Sequence, residues 1–413
     1  MNRPLINISP YHLLGFCFAI TLFELLTYMA SDMIMPAMLT VTHDLNASAQ
    51  HVPFAFNLYL AGGILLQWLI GPLSDHFGRR RVLLIGSAVF ALACCAAFSV
   101  QSIYAFNGLR LIQGMGLGFV IAVSYPALQE VFCEADAVKI MALLGNVALL
   151  SPLLGPLLGS LLLEWLTWRE LFLLLGMSGM AVWLALFVYM PETVGTLRHD
   201  GQRLMAVPFE WGGTVRRYAA LLGNTRFLSA SVALGIMSLP LIAWIGLAPL
   251  LLMHNQGLSP LAYGLWQIPV FAAVILGNLI LNRLIAKTDI PQLIRYSLWP
   301  LCGGLIALVA LSAYGVSTPV LIACLGLYAV GLGMSNAALY RLALFSSDDS
   351  KGLVSAMIGM ISILVMGGGG SMLAAVGAGY SHESFSLIAG IAGLLCLLPL
   401  RFFLRRNAVA LTV

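Results

Sequence analysis

The stretch that decides the fold joins two apolar runs and reads Gly71-Pro-Leu-Ser-Asp75-His-Phe-Gly78-Arg79-Arg80-Arg81. The runs that flank it, at 51–73 and 82–100, are each close to the roughly 20 apolar residues that a helix needs to cross a bilayer. We therefore predict a tight polar turn between two membrane-spanning helices. Gly71 and Gly78 are expected to allow close approach and unusual backbone angles there. Asp75 is suited to meet a helix N-terminus or an arginine.

The composition of the whole chain is of the same kind. Of its 413 residues, 61% are hydrophobic and only 9% are charged, against roughly 25% charged residues in a typical soluble domain. A soluble fold of this length cannot hide that much apolar surface, so the natural solvent of the chain is lipid. The seven cysteines show no C-x-x-C spacing, which argues against a disulfide framework and against a zinc site.

The apolar runs predict an all-α membrane protein with twelve transmembrane helices in two six-helix halves. The longest polar stretch, 191–226, divides the chain into an N-terminal half (1–190) and a C-terminal half (227–413), with the stretch itself as a cytoplasmic linker. Prolines inside the runs, Pro36 among them, predict kinks. The runs lie at 12–40, 51–73, 82–100, 103–127, 137–164, 168–190, 227–253, 261–286, 293–314, 318–345, 350–378 and 382–404.

The distribution of basic residues predicts the orientation. Of the twenty Lys and Arg residues, all but Arg110 and Arg169 fall at the termini or near the loops that follow even-numbered spans. Because Lys and Arg concentrate on the cytoplasmic side of membrane proteins, both termini are expected to be cytoplasmic. The formal net charge of +4 is thus interpreted as a topology signal and not as the sign of an acidic partner.

The first span carries two carboxylic acids, Glu24 and Asp32, which are eight residues apart. Eight residues advance a helix by about 12 Å and turn it about 80° beyond two rotations, so both acids can face one cavity at different depths. Burial disfavours the charged form of a carboxyl group, and an acid that is sometimes protonated can exchange a proton for a cation. Both are predicted to couple protons and to bind substrate, with Tyr28 between them as a further substrate contact. The alternative is one structural acid at a helix contact.

The fourth span places Arg110 inside an apolar run, followed by Gln113 and Gly114. A guanidinium group within the membrane is costly, so it is expected to face a cavity or a partner. The alternative is that Arg110 lies near the helix end and extends toward the interface.

The fifth span repeats small residues every four positions, at Ser151, Gly155 and Gly159, with Pro156 between them. Such spacing creates a groove for a neighbouring helix, and ordinary packing explains part of the pattern.

The later spans carry few charges. Aromatic, aliphatic and amide side chains there suit a forgiving lipophilic pocket, although packing in a membrane explains each of them equally well. Arg341, at the inner end of span 10, fits a salt bridge across the halves or a simple anchor at the cytoplasmic face. The predicted substrate contacts in these spans are Leu239, Trp244, Tyr263, Gln267 and Phe271.

These strings resemble the major facilitator superfamily and, more closely, the MdfA-type multidrug/proton antiporters of bacteria. The likeness is carried by residues 59–81, by Leu109 to Gly116, by Gly155-Pro156 and by the segments 239–244 and 350–352. It implies that Glu24 and Asp32 are the acids of proton and drug coupling and that Arg110 is essential for coupling. It adds Asn57, Asn146 and Leu149 to the substrate contacts. It also implies gate or conformational roles for Gly71, Asp75, Gly78, Arg79, Arg80, Gln113, Gly114, Gly155, Pro156, Gly159 and Arg341.

The resemblance also implies a function. The expected activity is the exchange of external protons for cytoplasmic lipophilic drugs, cationic and neutral, including chloramphenicol-like compounds, by alternating access. No cofactor beyond the proton gradient and no metal is expected. The expected partners are lipophilic drugs, protons and membrane lipids, with no nucleic acid, for a monomer in the bacterial inner membrane.

Three alternatives stay open at this point. A proton-coupled transporter of a specific metabolite keeps the fold and changes the substrate. An intramembrane enzyme needs a nucleophile with a base or a metal site, and the sequence contains neither H-E-x-x-H nor G-x-S-x-G. A transporter-like sensor without transport is the third.

Overall fold

A computed structural model describes residues 4–132, 140, 150–199, 201, 203–206, 211–284, 288, 290–347 and 351–410. Within these ranges the chain is helical, and its one β-type pairing is an isolated bridge between Leu197 and Arg203. Eleven of the helical segments described are long and apolar enough to cross a membrane, judged by length and composition. A shorter apolar helix, Leu150–Leu162, stands where the fifth span is predicted. The prediction of an all-α membrane protein is confirmed.

The helices described in this part of the chain follow the predicted spans closely. Most boundaries agree to within a few residues. The α-helices described are α1 (Pro10–Asp32), α2 (Met38–Asp44), α3 (His51–Leu65), α4 (Gln67–Phe77), α5 (Arg79–Ala97), α6 (Ile103–Phe119), α7 (Tyr125–Val131), α8 (Leu150–Leu162), α9 (Trp168–Tyr189), α10 (Trp211–Gly223), α11 (Thr225–Ala248), α12 (Pro260–Leu284), α13 (Ile290–Leu311), α14 (Thr318–Leu344), α15 (Lys351–Ala375), α16 (His382–Leu394) and α17 (Leu397–Ala410).

Several spans are interrupted. In the first, α1 ends at Asp32 and a 3-10 turn, Met35–Ala37, precedes α2. Pro36 lies in that turn, so the kink predicted there is confirmed. The second span breaks at Leu66, between α3 and α4, where no proline marks the break. Spans four and seven each contain a π-helical turn, at Val120–Ser124 and Pro249–His254.

The chain folds into two compact units. The N-terminal unit comprises Met1–Ala47 and Leu58–Trp211, and the C-terminal unit comprises Ser48–Asn57 and Gly212–Val413. Within the N-terminal unit α5 packs on α6 and α9, and α1 packs on α9. Within the C-terminal unit α14 packs on α12 and α13, and α11 packs on α15.

Glycines bring two helices of the N-terminal unit close together. A Cβ atom on Gly62 of α3 would overlap the backbone oxygen of Leu111, and one on Gly114 of α6 would overlap that of Tyr59. The backbones therefore cross at a distance that only glycine permits, as at other small-residue contacts between membrane helices. This crossing places Tyr59 beside the part of α6 that carries Arg110.

Candidate functional site

Glu24 lies in the middle of α1 and is fully buried. Its Oε1 atom accepts a hydrogen bond of 2.6 Å from the Tyr125 hydroxyl, and its Oε2 atom is buried without a hydrogen-bond partner. Tyr125 is the first residue of α7 and follows directly after the π-helical turn Val120–Ser124. Such turns widen a helix by one residue and occur often at functional sites. Here the turn immediately precedes the residue whose phenol group binds the acid.

Asp32 is the last residue of α1 and is 5% exposed. Its Oδ2 atom accepts a hydrogen bond of 2.9 Å from the hydroxyl of Ser151, which is itself fully buried on α8. An ionised carboxylate can only accept hydrogen bonds, so this serine donates to the charged form. The sequence identifies Ser151 only as a small packing residue. Its role as a hydrogen-bond donor to Asp32 depends on tertiary contact and is not predicted from the sequence.

The face of α8 that carries Ser151 packs against the end of α1. A Cβ atom on Gly155 would come within 2.6 Å of the Asp32 Cβ atom. One on Gly159 would overlap the backbone of Met33. The predicted groove of small residues is confirmed, and its occupant is the segment that holds Asp32. Pro156 is buried, and its carbonyl accepts a hydrogen bond of 2.7 Å from the Ser160 hydroxyl.

Arg110 is 1% exposed and binds neutral groups. Its Nη1 atom donates to the Ala30 carbonyl at 2.8 Å and to Gln113 Oε1 at 3.0 Å. The guanidinium carbon lies 4.4 Å from the ring centroid of Tyr59, a cation–π distance. Arg110 also interacts electrostatically with Asp32, which lies two residues beyond Ala30. Arg110 therefore meets partners on α1 and α6 inside the N-terminal unit, and an extended pose at the helix end is excluded.

The acids and the arginine thus share one region of the N-terminal unit. Neither Glu24 nor Asp32 forms an ion pair within the described part of the chain, and each carboxylate accepts a hydrogen bond from a hydroxyl. Tyr28 lies between them on α1 and is partly buried. A carboxyl group held in this way can gain or lose a proton without breaking a salt bridge. That property suits a group that takes up and releases a proton.

The stretch at 71–81 forms the predicted tight turn. Gly78 alone separates α4 from α5 and has a φ of 104°, a left-handed conformation that favours glycine. Arg79 is buried and pairs with Asp75 at 2.5 Å and with Glu130 at 2.9 Å. The expectation for Gly71 was wrong: it lies inside helix α4, and a Cβ atom there would meet nothing within 4 Å.

Two acids of this turn were not predicted, Glu130 and Glu192. Glu192 Oε1 accepts the backbone N–H of Arg79 at 2.9 Å and so caps the N-terminus of α5, a favourable place for a carboxylate. Glu130 also accepts the hydroxyl of Thr193. Their signal in the sequence was weak, since Glu130 lies where an apolar run meets an acidic loop and Glu192 lies at the start of a polar stretch. Arg80 donates to the Phe187 carbonyl at 2.6 Å.

The residues predicted in spans seven and eight are buried inside the C-terminal unit. Trp244 Nε1 donates to Gln267 Oε1 at 2.8 Å and joins α11 to α12. Tyr263, Phe271 and Leu239 are at most 6% exposed, as expected equally for packing and for a closed pocket. Two further predicted residues lie elsewhere in this unit. Arg341 is exposed, and its guanidinium carbon lies 5.6 Å from the centroid of the Phe345 ring. The Nδ2 atom of Asn57 donates a hydrogen bond of 2.9 Å to Ser371 Oγ.

Two predicted substrate contacts, Asn146 and Leu149, lie outside the described residues.

Gln113, which Arg110 binds, donates in turn to the Ala93 carbonyl at 3.2 Å and so links α6 to α5. Among the residues that the structure describes, no group of three or more His, Cys, Asp and Glu side chains could hold a metal ion.

Comparison with known proteins identifies the family to which the chain belongs. The family model of the Major Facilitator Superfamily matches residues 20–361. The multidrug transporter MdfA of Yersinia pestis bv. Antiqua (strain Angola) is 44% identical over 396 residues, which cover 96% of this chain and 95% of the relative. MdfA of Edwardsiella ictaluri is 42% identical over 380 residues, 91% of each chain.

The fold is also found among solved structures. A D-xylose-proton symporter superposes with a TM-score of 0.74 at 16% sequence identity, covering 94% of this chain and 97% of the symporter. At that identity the likeness shows the fold alone. The buried acids, the buried arginine and the glycine turn therefore stand in a chain that belongs to the Major Facilitator Superfamily and, within it, to the family of the MdfA multidrug transporters.

Proposed function

We propose that this protein exports lipophilic drugs from the bacterial cytoplasm in exchange for protons. The observation that carries the proposal is the pair of buried acids on α1, Glu24 and Asp32, each held by a neutral hydroxyl group. A buried carboxylate attracts a lipophilic cation, and a protonated one does not. The names of the MdfA relatives support drugs as the substrates. The chain is a transporter of the inner membrane and not an enzyme.

The cycle alternates between ionised and protonated acids. Drug from the cytoplasm enters while Asp32 or Glu24 is ionised. Protons arriving from outside neutralise the acid, which releases the drug outward. Return of the empty carrier delivers the proton to the cytoplasm. Arg110, which interacts electrostatically with Asp32, is proposed to take part in this exchange.

The halves 1–190 and 227–413, joined by the linker 191–226, are proposed to move against each other around this site, with both termini in the cytoplasm. The turn at Gly78 is proposed to act at the inner gate. There Arg79 forms ion pairs with Asp75 and Glu130. Glu192, at the start of the linker, accepts a hydrogen bond from the first backbone N–H of α5. Movement of the linker is therefore transmitted to the turn between spans two and three.

The test is drug-evoked proton release from everted membrane vesicles. Wild-type protein is expected to release protons when tetraphenylphosphonium or chloramphenicol is added. Glu24→Gln and Asp32→Asn are expected to lose that response, because neither amide can carry the proton. Glu164→Gln serves as the matched control, since Glu164 is an exposed acid just beyond α8.

Expression of each variant is checked by quantifying the purified protein. A Glu24→Gln, Asp32→Asn double variant that still pumps drug against a gradient would exclude the proposed coupling. No response of the wild type to either compound would exclude multidrug transport and favour a specific metabolite as the substrate.

A further inference from the structure

Helix α10 (Trp211–Gly223) stands in the polar stretch that separates the two sets of spans. Its 13 residues are too few to cross a bilayer, which takes about 20. Asn224 alone separates α10 from α11, which begins the seventh span. Because consecutive Cα atoms are only about 3.8 Å apart, a helix joined so closely to a span starts at the membrane surface. The surroundings of α10 are therefore the polar interface between lipid and water.

One side of α10 exposes apolar side chains. Val215 is 53% exposed, Leu222 is 48% exposed, and Ala219 between them is exposed as well. Residues four and seven positions apart fall on the same face of a helix, so these three form a stripe. A different side of the helix carries Leu221, which is 1% exposed. The stripe therefore points away from the contact that buries Leu221.

The charge of α10 is positive. The helix contains two arginines, Arg216 and Arg217, and no Asp or Glu. Both arginines are exposed, and within the part of the chain that the structure describes neither pairs with a carboxylate. Since each residue turns a helix by about 100°, Arg216 lies at the edge of the stripe and Arg217 on the side opposite to it. Arg216 is thus the cation placed beside the apolar face.

These two features together indicate the kind of partner. The stem of an arginine lies along apolar surface while its charged end stays in a polar layer, and the guanidinium group binds phosphate through two parallel hydrogen bonds. A free phosphate ion would satisfy the arginine and leave the stripe in water. A membrane surface satisfies both, because its headgroups carry phosphate and its acyl region takes up apolar side chains. The positive charge favours anionic lipids over zwitterionic ones.

The end of α10 is linked by hydrogen bonds to the spans of the C-terminal unit. Asn224 Oδ1 caps α11 by accepting the backbone N–H groups of Arg226 at 3.1 Å and Phe227 at 3.2 Å. Asn224 Nδ2 donates to the Ser346 carbonyl, just beyond α14, at 3.1 Å. The backbone N–H of Asn224 donates to the Leu221 carbonyl at 3.0 Å. The position of α10 is therefore transmitted to the start of α11 and the end of α14.

We propose that α10 docks on anionic phospholipids of the inner leaflet. Val215, Ala219 and Leu222 enter the interface, and Arg216 binds a lipid phosphate group. The choice of the inner leaflet rests on the proposed cytoplasmic position of the linker, whereas the docking itself does not depend on drug/proton exchange. Docking fixes the depth at which the seventh span begins.

The first experiment measures hydrogen exchange of the backbone amides of α10 in the full-length protein in nanodiscs. Discs of phosphatidylcholine are compared with discs that also contain phosphatidylglycerol. The anionic lipid is expected to slow exchange, because a ligand of the folded helix opposes its opening. Arg216→Gln is expected to reduce this protection roughly fivefold. Arg217→Gln, the matched control on the opposite side of the helix, is expected to reduce it by less than about twofold.

The second experiment tests the stripe by the same measurement. Leu222→Gln is expected to speed the exchange of α10 several-fold in both kinds of disc, because it removes an apolar side chain from the interface. Leu197→Gln is the control, since Leu197 is 66% exposed and lies in the linker outside α10. Inorganic phosphate added to discs of phosphatidylcholine is expected to leave the exchange of α10 unchanged.

Exchange of α10 that is the same with and without phosphatidylglycerol would overturn the proposal. Equal effects of Arg216→Gln and Arg217→Gln would do the same, as would wild-type exchange in Leu222→Gln. Protection by inorganic phosphate would assign the arginine to a soluble anion and would also contradict docking. Drug-evoked proton release is scored separately. If the wild type releases no protons but the exchange of α10 still depends on phosphatidylglycerol and Arg216, the proposed drug export fails and the docking stands.

Discussion

The two units of this protein differ in what they bury. In the described part of the N-terminal unit, four charged side chains are buried, namely Glu24, Asp32, Arg79 and Arg110. In the described part of the C-terminal unit, no Asp, Glu, Lys or Arg side chain is buried. Its buried polar groups are amides, hydroxyls and the imidazole of His382. Charge in a membrane interior is costly and is kept where function requires it.

The difference indicates that the two units have different functions. The N-terminal unit holds the groups that can change charge, and the C-terminal unit offers apolar and uncharged polar surface. Proton coupling is therefore expected to depend on the first unit, and tolerance of varied substrates on the second. Substitutions that remove charge from the N-terminal unit should stop coupling, while comparable changes in the C-terminal unit should alter stability or substrate range.

The largest effect is expected for Arg110→Met. This change removes the guanidinium that binds Ala30, Gln113 and the Tyr59 ring, and with it the positive charge near Asp32. Drug-evoked proton release in everted vesicles should fall to the level of vesicles without the protein.

Arg169→Met is the matched control for Arg110. Arg169 lies 3.6 Å from Asp44, and the side chains are 31% and 36% exposed. Partly exposed pairs of this kind contribute about 0–1 kcal/mol, so transport should persist. Equal losses in both variants would contradict a special role for the buried arginine.

The next largest effect is expected for Gly155→Ala. The added Cβ atom would lie 2.6 Å from the Asp32 Cβ atom, so α8 has to move away from α1. Overpacking of this kind costs about 1–3 kcal/mol, and the shift also separates Ser151 from Asp32. The unfolding temperature measured in detergent and the transport rate measured in vesicles should both fall.

Gly108→Ala is the control for Gly155, because Gly108 is also helical and a Cβ atom there meets nothing within 4 Å. Gly→Ala at an open helical site is neutral or stabilising by about 0.5–1 kcal/mol. If Gly155→Ala were as stable and active as Gly108→Ala, the close contact of α8 with Asp32 would be unimportant.

A smaller effect is expected in the C-terminal unit, for Trp244→Phe. This variant leaves Gln267 Oε1 buried without the indole donor that now binds it at 2.8 Å. A buried acceptor without a partner costs about 1–3 kcal/mol, so the unfolding temperature should fall. Proton release evoked by tetraphenylphosphonium should remain.

Trp165→Phe, at a position 75% exposed, controls for the loss of an indole. Loss of proton release by Trp244→Phe at normal expression would show that coupling also depends on the C-terminal unit.

Much of the fold was predictable because spans follow from hydrophobic length. The breaks within spans were harder to predict. Pro36 indicated the turn after α1, but the break at Leu66 and the π-helical turn before Tyr125 depend on how helices pack. Residue type also marked the acids, the buried arginine and the glycine of the turn, since charges in a membrane and left-handed glycines are rare.

The partners of those residues were not predictable in the same way. In the sequence, Ser151 and Tyr125 look like ordinary residues of an apolar span. Only the tertiary structure brings their hydroxyl groups within hydrogen-bond distance of Asp32 and Glu24. Gly71 shows the opposite error, because a glycine within a conspicuous motif stands in open space inside a helix. The space around it could not be judged until its neighbours were placed.

The smallest effect is expected for Ser151→Ala, which removes the 2.9 Å hydrogen bond to Asp32 and leaves the packing of Gly155 intact. The net contribution of a hydrogen bond is about 0.5–1.5 kcal/mol, so transport at a fixed drug concentration should fall by roughly tenfold at most and recover in Ser151→Thr. The decisive readout is a double-mutant cycle, measured as drug binding to purified protein. In the Asp32→Asn background, Ser151→Ala should have little further effect, because the hydroxyl acts through the carboxylate. Full additivity would instead assign Ser151 to helix packing, and the N-terminal unit would then hold Asp32 by burial alone.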